Sequence, residues 1–431
     1  MRALGLSVFE AYLEKRGKIA PYGKPDGFRD TTICSLLGYA HYTRAYYAPV
    51  PCRSTRQARR RLERLERKAA ERDARHKRNA TVPRTGGAPC ACPFDAALKI
   101  QDGMTSAMQD RMQRAAAFCG SFAEGTATLE RFAGVTVPVS TFRCKALSAG
   151  TRAVAAQEFP ALRLLTPFFP AWLLAATTET TPTLYIMPDG TGIPCVKKDT
   201  ENIKGKGEDG KAKTRELKVA IVGTYRRLNA KGHPVRDPGC ESHMVSAKTA
   251  QEFGRLLRQL ANSRGYNSGL FRIQIVGDGA EWIENIVRVA FPGKGIIFTN
   301  DFYHACEYLH DFLGLAMGNS AAVPRAFKMA RAILLRFGGA TLVRHLRKHH
   351  GQLDHTHEAW KKLKYIEERV EHMKYGEYRK AGLFIGSGPV EAACRTDVAR
   401  RCKQAGMHWR VINGAAICAL VARFRSNLAA A

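Results

Sequence analysis

The stretch from Phe271 to Trp282, FRIQIVGDGAEW, decides how the chain is read. Its apolar run stops at Gly277-Asp278-Gly279, and a helical pattern opens two residues later. Ile273 and Ile275 stand two apart, the spacing of one face of a β-strand. Asp278 is therefore expected where a buried strand opens to solvent. The stretch TLYIMPDGTGIP repeats the design, with Leu184 to Met187 as the apolar run and Asp189 at its mouth. Carboxylates at the ends of two core strands can hold a hard cation between them, because Mg²⁺ takes oxygen ligands and accepts only a few from protein. GSGPVEAACRT offers a third, Glu391, in the first turn of a late helix. The expectation is that Asp189, Asp278 and Glu391 converge on a metal site for phosphodiester chemistry. Each has a plainer alternative: Asp-Gly is a common turn, and a glutamate in a first turn stabilises the helix dipole.

A chain of 431 residues is too long for one ordinary core, so two or three domains are expected. Lys and Arg number 68 against 38 Asp and Glu, a net charge of +30 spread over most of the chain. Such a field favours a polyanion, and nucleic acid is the expected partner. The N-terminus carries Glu10 inside its only apolar patch, unlike a signal peptide. Apolar stretches such as Phe168 to Ala176 fall short of the ~20 residues that span a bilayer. The 12 cysteines are scattered without a CxxC pair. The expectation is a soluble, cytoplasmic protein with reduced cysteines and no membrane partner.

Thr31 to Tyr47 is rich in β-branched and aromatic residues around Gly38 and suggests a hairpin. From Arg53 to Arg78 there are 12 Lys/Arg against 4 Asp/Glu, a solvated helix or arm able to lie along a phosphate backbone. Cys90-Ala91-Cys92, with Cys52 upstream, invites a zinc reading, but zinc sites usually pair their ligands twice. Pro93 to Phe118 reads as helical. Ser121 to Glu124 has the form of a capping box opening a helix that Gly134 ends, and Ser140 can cap a second helix bearing Arg143, Lys145 and Arg152. That outline is a helix-turn-helix or a generic helical hairpin.

From Pro182 the order is strand, basic loop, strand, a strand or turn through His233 to Val245, helix, strand, helix, strand, which predicts an α/β fold with a mixed sheet. Phe302 to Tyr378 holds no strand candidate and interrupts this pattern before Glu391. The expected divisions are 1–92 (strand pair and basic arm), 93–181 (helical DNA-binding region and linker), 182–312 (first part of the core), 313–380 (helical insertion) and 381–431 (C-terminal helices of the core).

The motifs PDGTGIP, KTRELK, GDGAEWI, DFYHACEYL and GSGPVEAACRT with RCKQAGMHW, in this order, make the chain resemble the DDE transposases, closest to the ISKra type of bacterial insertion-sequence transposase. The resemblance runs from about Pro93 to Leu428. It implies an RNase H-like catalytic domain with an all-helical insertion, preceded by a mainly helical DNA-binding region. It implies catalytic and metal-binding roles for Asp189, Asp278 and Glu391, two Mg²⁺ ions with Mn²⁺ able to substitute, and an assembly of at least two copies on DNA. The activity implied is cleavage at element ends, followed by attack of the freed 3′-hydroxyl on target DNA. Ala48 to Ala91 departs from the pattern. A DNA-binding protein descended from such an enzyme, or an RNase H-like nuclease, remains open beside the transposase.

Asp301, His304 and Glu307 are spaced to share a helix face and suit a separate metal site, an auxiliary role, or a buried structural histidine. Trp282 can stack on an extruded base or fill the core. Lys206, Lys211, Lys213 and Arg215 flank the first strand pair, and Arg395 follows Glu391; all are candidate contacts to DNA phosphates.

Overall fold

A computed structural model describes residues 2–19, 25, 27–47, 93–100, 103–158, 182–201, 203–205, 211–225, 227–235, 239–293, 295–318, 320–354 and 357–426. The basic arm at Arg53 to Arg78, Cys52, Cys90, Cys92, Lys206 and most of the connecting region up to Thr181 lie outside the described residues. The described chain forms two compact units, Met1–Met112 with Thr126–Val137, and Gln113–Gly125 with Pro138–Ala431.

In the first unit a helix, Arg2–Gly17, packs on an antiparallel hairpin of β1 (Gly27–Ser35) and β2 (Gly38–Tyr46). Gly38 turns the hairpin at φ 130°, a conformation closed to residues with a Cβ. Leu13, Ile33, Ala40, Tyr42 and Ile100 close a small core. Asp95 of the short helix Pro93–Ala97 ties down β2 by accepting the Tyr42 hydroxyl at 3.0 Å and pairing with Arg44. The helix expected over Pro93 to Phe118 is broken, resuming only at Ser106–Phe118, because Lys99 at φ 53° and Gly103 at φ 73° turn the chain.

The next helix, Phe122–Ala133, has the expected cap with one change: Ser121 Oγ accepts from the Glu124 amide at 3.0 Å, but Glu124 reaches back to the Gly120 amide instead of that of Ser121. Gly134, at φ 59°, ends it. The following helix is Val139–Glu158, so Ser140 lies inside its first turn and does not cap it.

The second unit is built on a mixed five-stranded sheet. Its strands are β3 (Thr183–Pro194), β4 (Thr214–Tyr225), β7 (Glu241–Ser246), β8 (Arg272–Gly277) and β9 (Ile296–Asn300), in the order β7-β4-β3-β8-β9. A separate ribbon joins β5 (Arg227–Leu228) to β6 (Pro234–Val235). β3, β4 and β7 pair antiparallel, while β8 and β9 run parallel to β3. Helices Ala250–Ser263 and Glu281–Ala290 make the crossovers that parallel strands require. Thr249 and Glu252 form a reciprocal capping box at the start of the first. Phe253, Leu256 and Leu257, at helical spacing, pack with Ile286 on Leu184, Ile186, Val222, Met244 and Ile275 of the sheet. Burying each such side chain contributes about 1.5–3 kcal/mol.

Alternation along β7 sends Met244 to that core and His243 to the other side, where Asp397 and Ser426 meet it. There the helix Val411–Arg425 lies against β7 and against Val139–Glu158. A Cβ on Gly150 would collide with the backbone carbonyl of Ala416, so the last two helices approach closely. With helices on both faces, strands β3, β4 and β8 are buried on both, which is why they read as continuous apolar runs.

Among the described residues, 302–380 contain helices and no strand: Phe302–Ala316, Val323–His350, Glu358–Glu367, a 3₁₀ turn at Val370–His372, and Tyr375–Lys380. Gly388–Ala393 then leads into a π-helical turn, Cys394–Ala399.

Candidate functional site

β3 does not stop at Asp189, as the sequence had suggested. It runs to Pro194 because β4 continues opposite it, pairing Asp189 with Val219 and Pro194 with Thr214. What ends near Asp189 is burial: Thr183 to Pro188 are buried, and Asp189 to Gly192 are partly exposed. Parallel pairing with β8 covers only Thr183 to Ile186. The Asp189 side chain thus emerges where β3 has lost its neighbour on one side. Its Oδ1 accepts from the Gly190 amide at 2.6 Å and its Oδ2 from the Cys394 thiol at 3.2 Å. Burial pushes the Asp189 carboxyl above the ordinary aspartate range, and nearby Asp278 adds to the rise; Cys394, Gly190 and His304 act against it.

Asp278 is the first residue beyond β8, and here the chain does turn. Its Oδ1 accepts from the Ala280 amide at 2.9 Å, and Gly279 takes φ 78°. Asp278, just past the end of β8, and Asp189, where β3 runs on beyond its parallel partner, therefore stand side by side, and their carboxylates repel one another.

Glu391 lies in Gly388–Ala393, which packs on β3 and β4. Cys394 follows it by three residues, the spacing at which helical side chains are neighbours, and bonds Asp189. Ser387, the residue before this helix, places its hydroxyl, with one hydrogen to share, 2.9 Å from Glu391 Oε1 and 2.7 Å from Asp301 Oδ2. The π turn is held by the fully buried Asp397, which pairs with His243 Nδ1 at 2.6 Å and with Arg425 Nε at 3.0 Å. Such bulges are frequent at functional sites.

Asp301 caps Phe302–Ala316 and is wholly buried. Its Oδ1 accepts from the His304 amide at 2.8 Å, and Oδ2 accepts the amide and hydroxyl of Ser387. Burial opposes its ionisation, yet the bonds from His304 and Ser387 hold its carboxyl below the ordinary range. His304 Nδ1 stands 3.7 Å from Asp301 Oδ1; that carboxylate raises His304 to about 9 against the cost of burial, with help from Asp278 and Glu307. Asp301, His304 and Glu391 each bring one ligand atom within 4.8 Å of the others, a grouping able to hold a metal ion.

Of the residues named from the sequence, Asp189, Asp278, Asp301, His304 and Glu307 act on one another electrostatically, and Glu391 is grouped with Asp301 and His304; Asp189 and Asp278 are not in that metal-holding group. Sequence reasoning missed Cys394, Ser387 and Tyr365; Cys394 had one signal, its place one turn after Glu391. Trp282 is partly buried at the edge of the main core, its ring against Phe253 and under the Lys218 ammonium at 5.4 Å. Of the candidate DNA contacts, Arg143, Arg152, Lys211, Lys213 and Arg395 are exposed, and Lys145 and Arg215 are half-buried. Arg215 donates to the Asp199 carbonyl at 3.0 Å. No disulfide joins any of the described cysteines. No described helix is long and apolar enough to cross a membrane.

The chain matches no family model and no curated protein. Among solved structures it is similar to the Drosophila P element transposase strand transfer complex, at 8% identity over 85% of this chain and 86% of that chain, with a TM-score of 0.26. So remote a likeness says nothing about activity, and any functional reading has to stand on the residues themselves.

Proposed function

We propose that the chain is a metal-dependent enzyme that cleaves and joins DNA, a DDE transposase whose sheet is of the RNase H-like kind. The observation that carries this reading is the placing of Asp189 and Asp278 side by side, one where β3 runs on beyond its parallel partner and one just past the end of β8, with Cys394, three residues after Glu391, bonded to Asp189. The mixed five-stranded sheet, in which β4 is antiparallel to its neighbours, supports that reading. The helical run 302–380, falling between the second and third carboxylates, fits the expected insertion.

The donors fit a hard divalent cation. Asp189 is a desolvated carboxylate that meets only an amide and a weak thiol donor, and Asp278 stands close enough to repel it. Glu391 has one oxygen engaged by Ser387 and a second without a donor among the described residues. Asp189, Asp278 and Glu391 would hold the ions, and divalent cations bound there activate the attacking oxygen and stabilise the leaving one. Asp301, with both oxygens engaged, fixes Ser387 and thereby the start of the Glu391 helix. In the metal-free chain the Asp301 carboxylate raises His304 to about 9, which sets a positive charge beside the carboxylates.

DNA is the substrate that the +30 charge favours, with Arg143, Lys145, Arg152, Lys206, Lys211, Lys213, Arg215 and Arg395 as its phosphate contacts. Joining two element ends calls for at least a dimer on DNA. The test is incubation of the full chain with DNA carrying the flanks of its own gene, in Mg²⁺ or in chelator. Cleavage with Mg²⁺ alone, lost in Asp189→Asn while DNA affinity is kept or raised, is expected. Undiminished cleavage by Asp189→Asn would refute the assignment, and metal-dependent cutting without end specificity would favour a nuclease.

A further inference from the structure

The turn at Asp278 is gripped from outside the sheet. Tyr365, in the helix Glu358–Glu367, donates its hydroxyl to the main-chain carbonyl of Asp278, and the same oxygen accepts from Asn300 Nδ2 at 3.0 Å. The ring itself has little freedom. It stacks on Tyr308 at 3.8 Å with 5° between the planes, and the Arg369 guanidinium lies 4.5 Å from its centroid. Arg369 is in turn held by Glu284 at 2.6 Å, on the helix that follows the turn. The space around Gly279 is filled by these groups, since a Cβ there would meet Asn300 Oδ1, Arg369 and the Tyr365 hydroxyl.

We infer that Tyr365 is a positioning residue for Asp278, by which the helical segment 302–380 aims the second carboxylate of the proposed site. The reasoning is geometric. Asp278 Oδ1 is committed to the Ala280 amide, so the direction of Oδ2 follows the orientation of the Asp278–Gly279 peptide. That peptide lies beyond the last β8–β9 pair, Gly277 with Asn300, and has no strand partner to fix it. The Tyr365 hydroxyl supplies the missing restraint. Glycine at 279 permits the turn; the phenol selects one position within it. The helical segment then has a part in building the site as well as any part in holding DNA.

This inference rests on the proposed metal site, and the experiment separates the two. Mn²⁺ binding to the full chain is followed by electron paramagnetic resonance for the unaltered protein, Tyr365→Phe, Tyr308→Phe and Asp278→Asn, with hydrogen exchange of the Ala280 amide read without metal. Tyr365→Phe keeps the ring and stack and removes only the hydroxyl. It is expected to weaken Mn²⁺ binding about tenfold, the usual effect of losing a group that orients a metal ligand. The Ala280 amide should exchange about tenfold faster, while amides of β3 and β4 keep their protection. Tyr308→Phe, whose hydroxyl does not touch the turn, should bind as the unaltered protein does. Asn300→Ser, which loosens the phenol from its other side, should give a smaller weakening and guards against misfolding of the first variant. If Asp278→Asn loses Mn²⁺ but Tyr365→Phe does not, the positioning role is overturned and the site stands. If Asp278→Asn binds Mn²⁺ undiminished, the site itself is wrong and the role falls with it.

Discussion

Asp189-Gly190 and Asp278-Gly279 are the same two letters after the same kind of apolar run, and the chain does different things at each. At Asp189 it goes straight on, because β4 is long enough to pair with β3 up to Pro194. At Asp278 it turns, where β9 ends opposite Gly277 and the parallel pairing with β3 has already stopped at Ile275. The carboxylate of Asp189 is steadied by the Cys394 thiol and that of Asp278 by the Ala280 amide, while a phenol from the helical segment holds the Asp278 main-chain carbonyl. The meaning of a dipeptide is therefore set by the length of the strand beside it, which no local pattern encodes. Two separate supports, both from later in the chain, hold the two acids in place.

The largest effect tests whether the two acids serve one site. Asp189→Asn and Asp278→Asn should each lower Mg²⁺-dependent cleavage by about a thousandfold or more, the scale of losing metal stabilisation worth several kcal/mol. The double variant should be little worse than either alone, as groups acting as a unit behave. Single-turnover cleavage rates of the three variants decide it: losses that multiply would mean two independent sites and break the comparison.

The glycines give the next effect. Gly279 sits at φ 78° with its surroundings filled, whereas Gly190 lies in extended β3, where an added Cβ meets only the flexible side chain of Glu216. Gly279→Ala should cost about 1–3 kcal/mol of stability, as strained backbone does. Gly190→Ala should stay within about 0.5 kcal/mol, since Glu216 can swing away. Urea denaturation midpoints measure both. Equal costs would show that the two glycine positions are alike after all.

Much of this was legible in the sequence for a physical reason. The helices around Phe253 and Ile286 announce themselves by periodicity, and Asp189 and Asp278 by closing apolar runs, all properties of a few consecutive residues. The order of the strands, the persistence of β3 through Thr191-Gly192, and the meetings of Cys394 with Asp189 and Tyr365 with Asp278 depend on residues remote in the chain. Glycines in Asp189 to Pro194 read as a turn, yet β4 supplied the partner that kept the strand extended. The break after Ala97 was hidden because a lysine, Lys99, adopts a conformation that sequence associates with glycine or asparagine.

The smallest effect concerns the charge that Asp189 carries without metal. Burial raises its carboxyl above the value of the unfolded chain, so between those two values the folded state holds more protons than the unfolded one. Stability of the metal-free protein must then fall as pH rises from the ordinary aspartate range up through the raised value, and level off beyond it. Asp189→Asn cannot ionise and should lose that fall, leaving it relatively more stable at neutral pH than the unaltered chain. Cys394→Ala removes a donor that favours the ionised form, so the fall should extend to higher pH in that variant. Urea denaturation in chelator from acid to neutral pH follows all three proteins. A pH profile of Asp189→Asn parallel to that of the unaltered protein would mean that Asp189 is as well solvated as an acid on an open turn, and the contrast with its surroundings in β3 would collapse.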